Sequence, residues 1–153
     1  MNKLSISILL LVLSVVSTGC RNTDEKQIET VADSFSVNFF NWKYVECVPF
    51  ITPESQKFLS FIASNVTNNN IETLRSMQDG ASVKRKQIFL SDNDSTAKVT
   101  VNINNICYVD TIGRPAKIYE SAEATLLMVK TQAGWKVVVS NDWPKMAIRQ
   151  QSE

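Results

Sequence analysis

Three cysteines, three tyrosines, a handful of carboxylates and no histidine set the terms for any chemistry in this chain of 153 residues. The lack of histidine removes the commonest proton shuttle near neutral pH and the commonest metal ligand. No Cys-x-x-Cys spacing compensates for it, so neither a metal nor another cofactor is expected. Acid–base work would then fall on Glu120, Glu123 or Asp110, since burial can raise a carboxyl into the range where it exchanges protons. Glu120 is the candidate cavity acid, because it alternates with Ile118, Ala122, Ala124, Leu126 and Met128 along one strand face. Its other placement is the solvated end of that strand. Tyr44, Tyr108 and Tyr119 have hydroxyls to offer, or serve as core and rim. No phosphate loop, nucleophile elbow or serine–base pair is present, so no residue is assigned as catalytic and the chain reads as non-enzymatic. Cys47 and Cys107 form an even pair. They either bridge, closing a loop of about 60 residues, or pack separately as small buried hydrophobes.

Cys20 is a different case, set by what precedes it. Met1-Asn2-Lys3 gives one positive charge, Leu4 to Val16 is apolar apart from three serines, and Ser17-Thr18-Gly19 is a small-residue run. That is the layout of an export signal over residues 1–19, and it is too short for a spanning helix of roughly 20 apolar residues. With Cys20 directly after Gly19, the stretch resembles the lipobox of bacterial lipoproteins, with Ser17 where that family usually has leucine. The resemblance implies an acylated Cys20 as the mature N-terminus, a palmitate-type anchor, and a place in the cell envelope, at the outer membrane. Stable anchoring takes two or more acyl chains, which such a cysteine carries. Loss of Lys3 brings the formal charge from +1 to zero. A neutral chain has no electrostatic reason to bind nucleic acid.

The elements that must hold these residues follow from periodicity. Residues 20–26 read as a short membrane-proximal linker, with Thr23 or Asp24 as N-cap, and residues 27–145 as one domain with a tail over 146–153. Asp24 and Glu25 also resemble the acidic surface-export signal of Bacteroidetes lipoproteins. Ile28, Val31, Ala32, Phe35 and Phe39 fall on one helix face. A short helix follows, bounded by Pro49, and then a helix start at Thr52-Pro53-Glu54, where proline fits the first helical position. Leu59, Ile62, Ala63 and Val66 continue its buried stripe until Asn68-Asn69-Asn70 breaks it. From Ser82 the period falls to 2, with strands over 83–90, 96–109, 116–130 and 135–139. On the second of these, Ala97, Val99, Val101, Ile103, Cys107 and Val109 are expected to share one face. Helices first and antiparallel strands afterwards make an α+β fold, with the helices packed on a sheet of about four strands.

The order of these elements, the run Val48-Pro49-Phe50-Ile51-Thr52-Pro53-Glu54-Ser55, the polar turn before Thr96 and the ending Gly134-Trp135-Lys136-Val137 resemble the nuclear transport factor 2-like superfamily. The nearest resemblance is to its small lipoproteins with a cystatin-like or lumazine-binding-like domain of unknown function. It covers roughly residues 28–143 and implies a curved sheet wrapped around the helices, with a cone-shaped cavity. Such cavities serve enzymes and binding modules alike.

Three readings therefore stand beside one another: a lipid-anchored module that binds a small molecule or a protein segment, a cavity enzyme of the isomerase or hydrolase type using Glu120, and a structural subunit of an envelope complex. Lys84-Arg85-Lys86 is the one basic cluster, either guarding an exposed strand edge or touching an anionic ligand or lipid headgroups. Asp94-Ser95-Thr96 and Asp110-Thr111-Ile112 resemble the O-glycosylation motif of exported Bacteroidetes proteins.

Overall fold

A computed structural model of the protein describes the backbone of residues 3–149 and the side chains from residue 22 onward. The helical pattern beginning at Ile28 belongs to a longer element, α1 (Lys3–Phe40). Residues 20–26, expected as a linker with a cap at Thr23 or Asp24, run inside this helix instead. The physical reason is that Asp24 is docked on the sheet: its carboxylate accepts Lys130 Nζ at 2.6 Å and the indole N–H of Trp135 at 3.1 Å. The lipid-attachment expectation for the side chain of Cys20 lies outside the described residues, as do residues 150–153 of the tail. Among the described residues, no helix is long and apolar enough to cross a membrane.

After α1 come α2 (Tyr44–Cys47), two 3₁₀ turns (Val48–Phe50 and Pro53–Ser55), α3 (Gln56–Ser64) and α4 (Asn68–Arg75). The helix breaks as expected but a little earlier, between Ser64 and Asn68, and the asparagine run itself opens α4. Thr67 Oγ1 caps it by accepting the backbone N–H of Asn70 at 3.3 Å, a standard use of threonine at a helix start. Thr52 likewise acts differently from the expected cap: its hydroxyl pairs with Ser55 Oγ at 2.8 Å, and Ser55 Oγ accepts Val139 N–H at 2.9 Å. These bonds fasten the Pro53 turn to the sheet.

The sheet has five antiparallel strands: β1 (Ser82–Leu90), β2 (Thr96–Tyr108), β3 (Lys117–Thr131), β4 (Gly134–Val138) and β5 (Met146–Arg149). The order is β1-β2-β3-β4, and β5 corrects both the count of four and the assignment of 146–149 to a tail. It forms because β4 pairs only with residues 127–131 of β3, leaving the edge at residues 121–124 for β5 to cover. Ile28, Ala32, Phe35 and Phe39 of α1 are buried against Val99, Val101 and Ile103 of β2 and Ala124, Leu126 and Met128 of β3.

One kink decides where the site residues point. Asn105 has φ +56°, a left-handed conformation that asparagine adopts more readily than most residues. Its side chain donates to Asp79 O at 2.6 Å. Across it the buried set on β2 changes from the alternating Ala97, Val99, Val101 and Ile103 to the adjacent pair Ile106 and Cys107. Strand β3, paired Asn104↔Ser121 and Ile106↔Tyr119, changes phase with it, from Met128, Leu126, Ala124 and Ala122 to Tyr119. The inward face expected on β2 thus holds from Ala97 to Ile103 and at Cys107, with Ile106 buried beside it. Glu120, expected to follow Ala122 inward, is turned out into solvent at the same step.

Outward, β2 presents Lys98, Thr100, Asn102 and Asn104, and β3 presents Glu123 and Thr125. The edge strand β1 carries a bulge between Arg85 and Gln87. Arg85 pairs with Glu29 at 3.1 Å and Asp33 at 2.6 Å, and Lys86 with Glu123 at 2.7 Å. A bulge with paired cations is how an edge resists pairing with another chain.

Candidate functional site

The site begins where α1 stops. Trp42 N–H bonds Phe39 O at 3.0 Å and Lys43 N–H bonds Asn38 O at 2.9 Å, the two crossed bonds of a Schellman ending. The left-handed position of that motif usually holds glycine, but here it holds Trp42 at φ +59°. Such strain persists where the surroundings hold the residue in place. The Trp42 indole N–H does so by donating to Cys107 O at 3.0 Å, which ties the end of α1 to the end of β2.

Around this corner lies a cavity of about 290 Å³. Phe39 and Phe40 come from α1, Tyr44 from α2, Phe58 and Phe61 from α3, Tyr108 from β2 and Trp143 from the segment after β4. The Phe39 ring lies 4.5 Å from Trp143, 5.3 Å from Phe40 and 5.5 Å from Tyr44, all edge-on, the arrangement ring quadrupoles favour. Phe61 and Ile112 stand at the rim, 55% and 62% exposed. The Trp143 indole N–H is spent on Thr125 O at 3.2 Å.

Tyr44 and Tyr108 are not spent in this way. Among the described residues neither hydroxyl has a hydrogen-bond partner. Burial pushes the Tyr44 phenol well above its ordinary range, with smaller contributions from neighbouring Cys47, Cys107 and Tyr108. Burial, and then the charge of Asp110, raises Tyr108 as well. Both therefore keep their protons and remain donors. Cys47 and Cys107 are free and buried. Burial lifts Cys47 to about 12, with Glu46 adding to the effect, and lifts Cys107 to about 11. Thiols so protonated are poor nucleophiles at neutral pH.

Of the three acids singled out from sequence, one reaches this place. Asp110 lies at the cavity wall. Partial desolvation pushes its carboxyl up, but the Tyr119 hydroxyl at 3.2 Å and Lys117 Nζ at 3.5 Å outweigh this and hold it below the usual carboxylate range. Asp110 is therefore an anion, not an acid poised to give a proton. Glu120 is exposed and does not line the cavity, and Glu123 is engaged by Lys86. Among the described residues no group of histidine, cysteine or carboxylate side chains could hold a metal ion. Sequence reasoning missed Phe39, Phe58, Phe61 and Trp143 as one wall. The nearest signal was the aromatic density of residues 39–44, which reads equally well as core. No protein-family model matches the chain, and no curated protein is detectably similar to it in sequence.

Proposed function

We propose that this chain is a lipid-anchored cell-envelope protein of the nuclear transport factor 2-like kind, and that its aromatic cavity binds a small molecule without transforming it. The observation that carries this reading is the cavity itself: about 290 Å³, walled by aromatic rings, with two unpartnered phenols and an acid held in its charged form. Binding sites are commonly apolar hollows with a few polar groups that fix orientation. A general acid would need a carboxyl raised by burial, and Asp110 is shifted the other way. An assembly surface would need a broad apolar face, and the outward side of β2 is threonine, asparagine and lysine.

Anchoring and binding are tested together by native mass spectrometry of the full chain extracted from membranes in mild detergent. The expected species is acylated at Cys20 and carries a small molecule that collisional activation releases. An unacylated chain would contradict the anchor. A wild-type chain that turns over ketone, epoxide or ester substrates, and loses that activity on Asp110→Asn, would contradict the non-enzymatic reading.

A further inference from the structure

The same cavity also carries an argument about what kind of molecule it takes, which rests on the binding function proposed above. Charge comes first. Among the described residues no lysine or arginine lines the cavity, and the one ionised residue in its wall, Asp110, is already answered by Lys117 and Tyr119. A bound anion would lose its hydration there and find no cation in exchange, which is strongly unfavourable. Shape comes second. Aromatic side chains dominate the wall, and Phe39 and Trp143 stand edge-on to each other within it. The volume is about ten times the ~30 Å³ that a water occupies in the liquid, room for on the order of ten heavy atoms. Two fused rings are of that size.

Hydrogen bonding comes third. Tyr44 lines the cavity, and two of the groups electrostatically nearest its hydroxyl, Cys107 and Tyr108, line it too. Its hydroxyl has no protein partner among the described residues and keeps some solvent contact, so an acceptor brought in by a ligand takes the place of water there. The Trp42 and Trp143 indole N–H groups are satisfied by backbone carbonyls, so their rings contribute surface and not hydrogen bonds. Position is the last point. Cys20 and Phe40 lie on one helix, and at about 1.5 Å per residue they are about 30 Å apart. An anchor at Cys20 puts the cavity at the far end of the domain from the bilayer, so its ligand arrives from the aqueous side.

We infer that the cavity selects an uncharged, flat, ring-bearing molecule with one hydroxyl or carbonyl group, which hydrogen-bonds the Tyr44 hydroxyl, and that it rejects the corresponding anions. The recognition is non-covalent, since both nearby thiols stay protonated.

Three bicyclic probes test this on the full chain in detergent micelles, with empty micelles subtracted: naphthalene, 2-naphthol and 2-naphthoate, titrated by calorimetry at pH 7. The expected result is one saturable site per chain for 2-naphthol and naphthalene, with 2-naphthoate weaker than 2-naphthol by about tenfold or more. Tyr44→Phe should weaken 2-naphthol about fivefold, the worth of one net hydrogen bond, and leave naphthalene unchanged, which also shows that the variant is folded. Naphthoate binding as tightly as naphthol overturns the inference. So does a Tyr44→Phe change that affects naphthol and naphthalene equally, or affects neither. If the two neutral probes bind without these preferences, the selectivity falls and the binding function stands. If none of the three binds, both fall.

Discussion

The part of α1 that packs on the sheet meets it in opposite ways at its two ends, Asp24 and Phe39. At the end nearer Cys20, Asp24 is gripped by Lys130 and Trp135, and its side chain is only 14% exposed. At the other end Phe39 meets Trp143, Phe40 and Tyr44 around open space, and the Tyr44 and Tyr108 hydroxyls have no partner among the described residues. Charge-assisted bonds close the first end and fix its geometry. Ring faces leave the second end adaptable, with polar capacity in reserve. The difference separates holding from receiving within one helix, and it gives each end its own signature on mutation.

Phe39→Ala should show the largest effect. Removing a ring that is 4% exposed costs about 3–5 kcal/mol of stability, and the cavity loses the ring its neighbours pack against. Chemical denaturation and probe calorimetry on the same sample should fall together. Asp24→Ala breaks the other end alone. It removes two hydrogen bonds to a carboxylate and strands the indole N–H of Trp135, a residue 1% exposed, for about 2 kcal/mol. Probe affinity should stay as in the wild type. If Asp24→Ala also abolished binding, the two ends would not be separable.

The same clamp carries a pH dependence. The Lys130 and Trp135 hydrogen bonds hold the folded Asp24 carboxyl below its ordinary value of 3.8. A carboxyl lowered on folding contributes stability that is complete above the unfolded value and is lost as the pH falls through the folded one. Acid titration of the melting temperature should therefore show a smaller loss below pH 3.8 for Asp24→Ala than for the wild type. The smallest effect belongs to Glu120→Gln. An exposed side chain outside both ends should change stability by no more than about 0.5 kcal/mol and leave probe binding untouched. A loss of binding would return Glu120 to the cavity.

The ladder of elements was readable in the chain because each carries its own period. The 3.6-residue spacing from Ile28 to Phe39, the alternation from Ala97 to Ile103 and the Pro53 helix start all appear in the structure within a residue or two. What hid the site was a single backbone angle. Strict alternation carries Glu120 inward with Ala122, and nothing local announces that Asn105, fifteen positions earlier, adopts φ +56° and, with the β2–β3 register unchanged, resets which side chains are buried on both strands. Side-chain direction there depends on pairing between distant residues, which a one-dimensional pattern does not contain. The linker failed for a related reason: Asp24 looks like a helix start until Lys130 and Trp135, more than a hundred residues later, arrive beside it. The aromatic wall is likewise assembled from five separate segments.

The three tryptophans divide between the two ends, Trp42 and Trp143 at the cavity and Trp135 at the clamp. Their indole N–H signals in a nitrogen-15 correlation spectrum therefore report on both ends at once during a titration with 2-naphthol. The account predicts that the Trp42 and Trp143 signals move along saturable curves with a common affinity while the Trp135 signal stays in place. Equal movement of all three, movement of Trp135 alone, or no movement at all would contradict the assignment of the far end of α1 as the binding site.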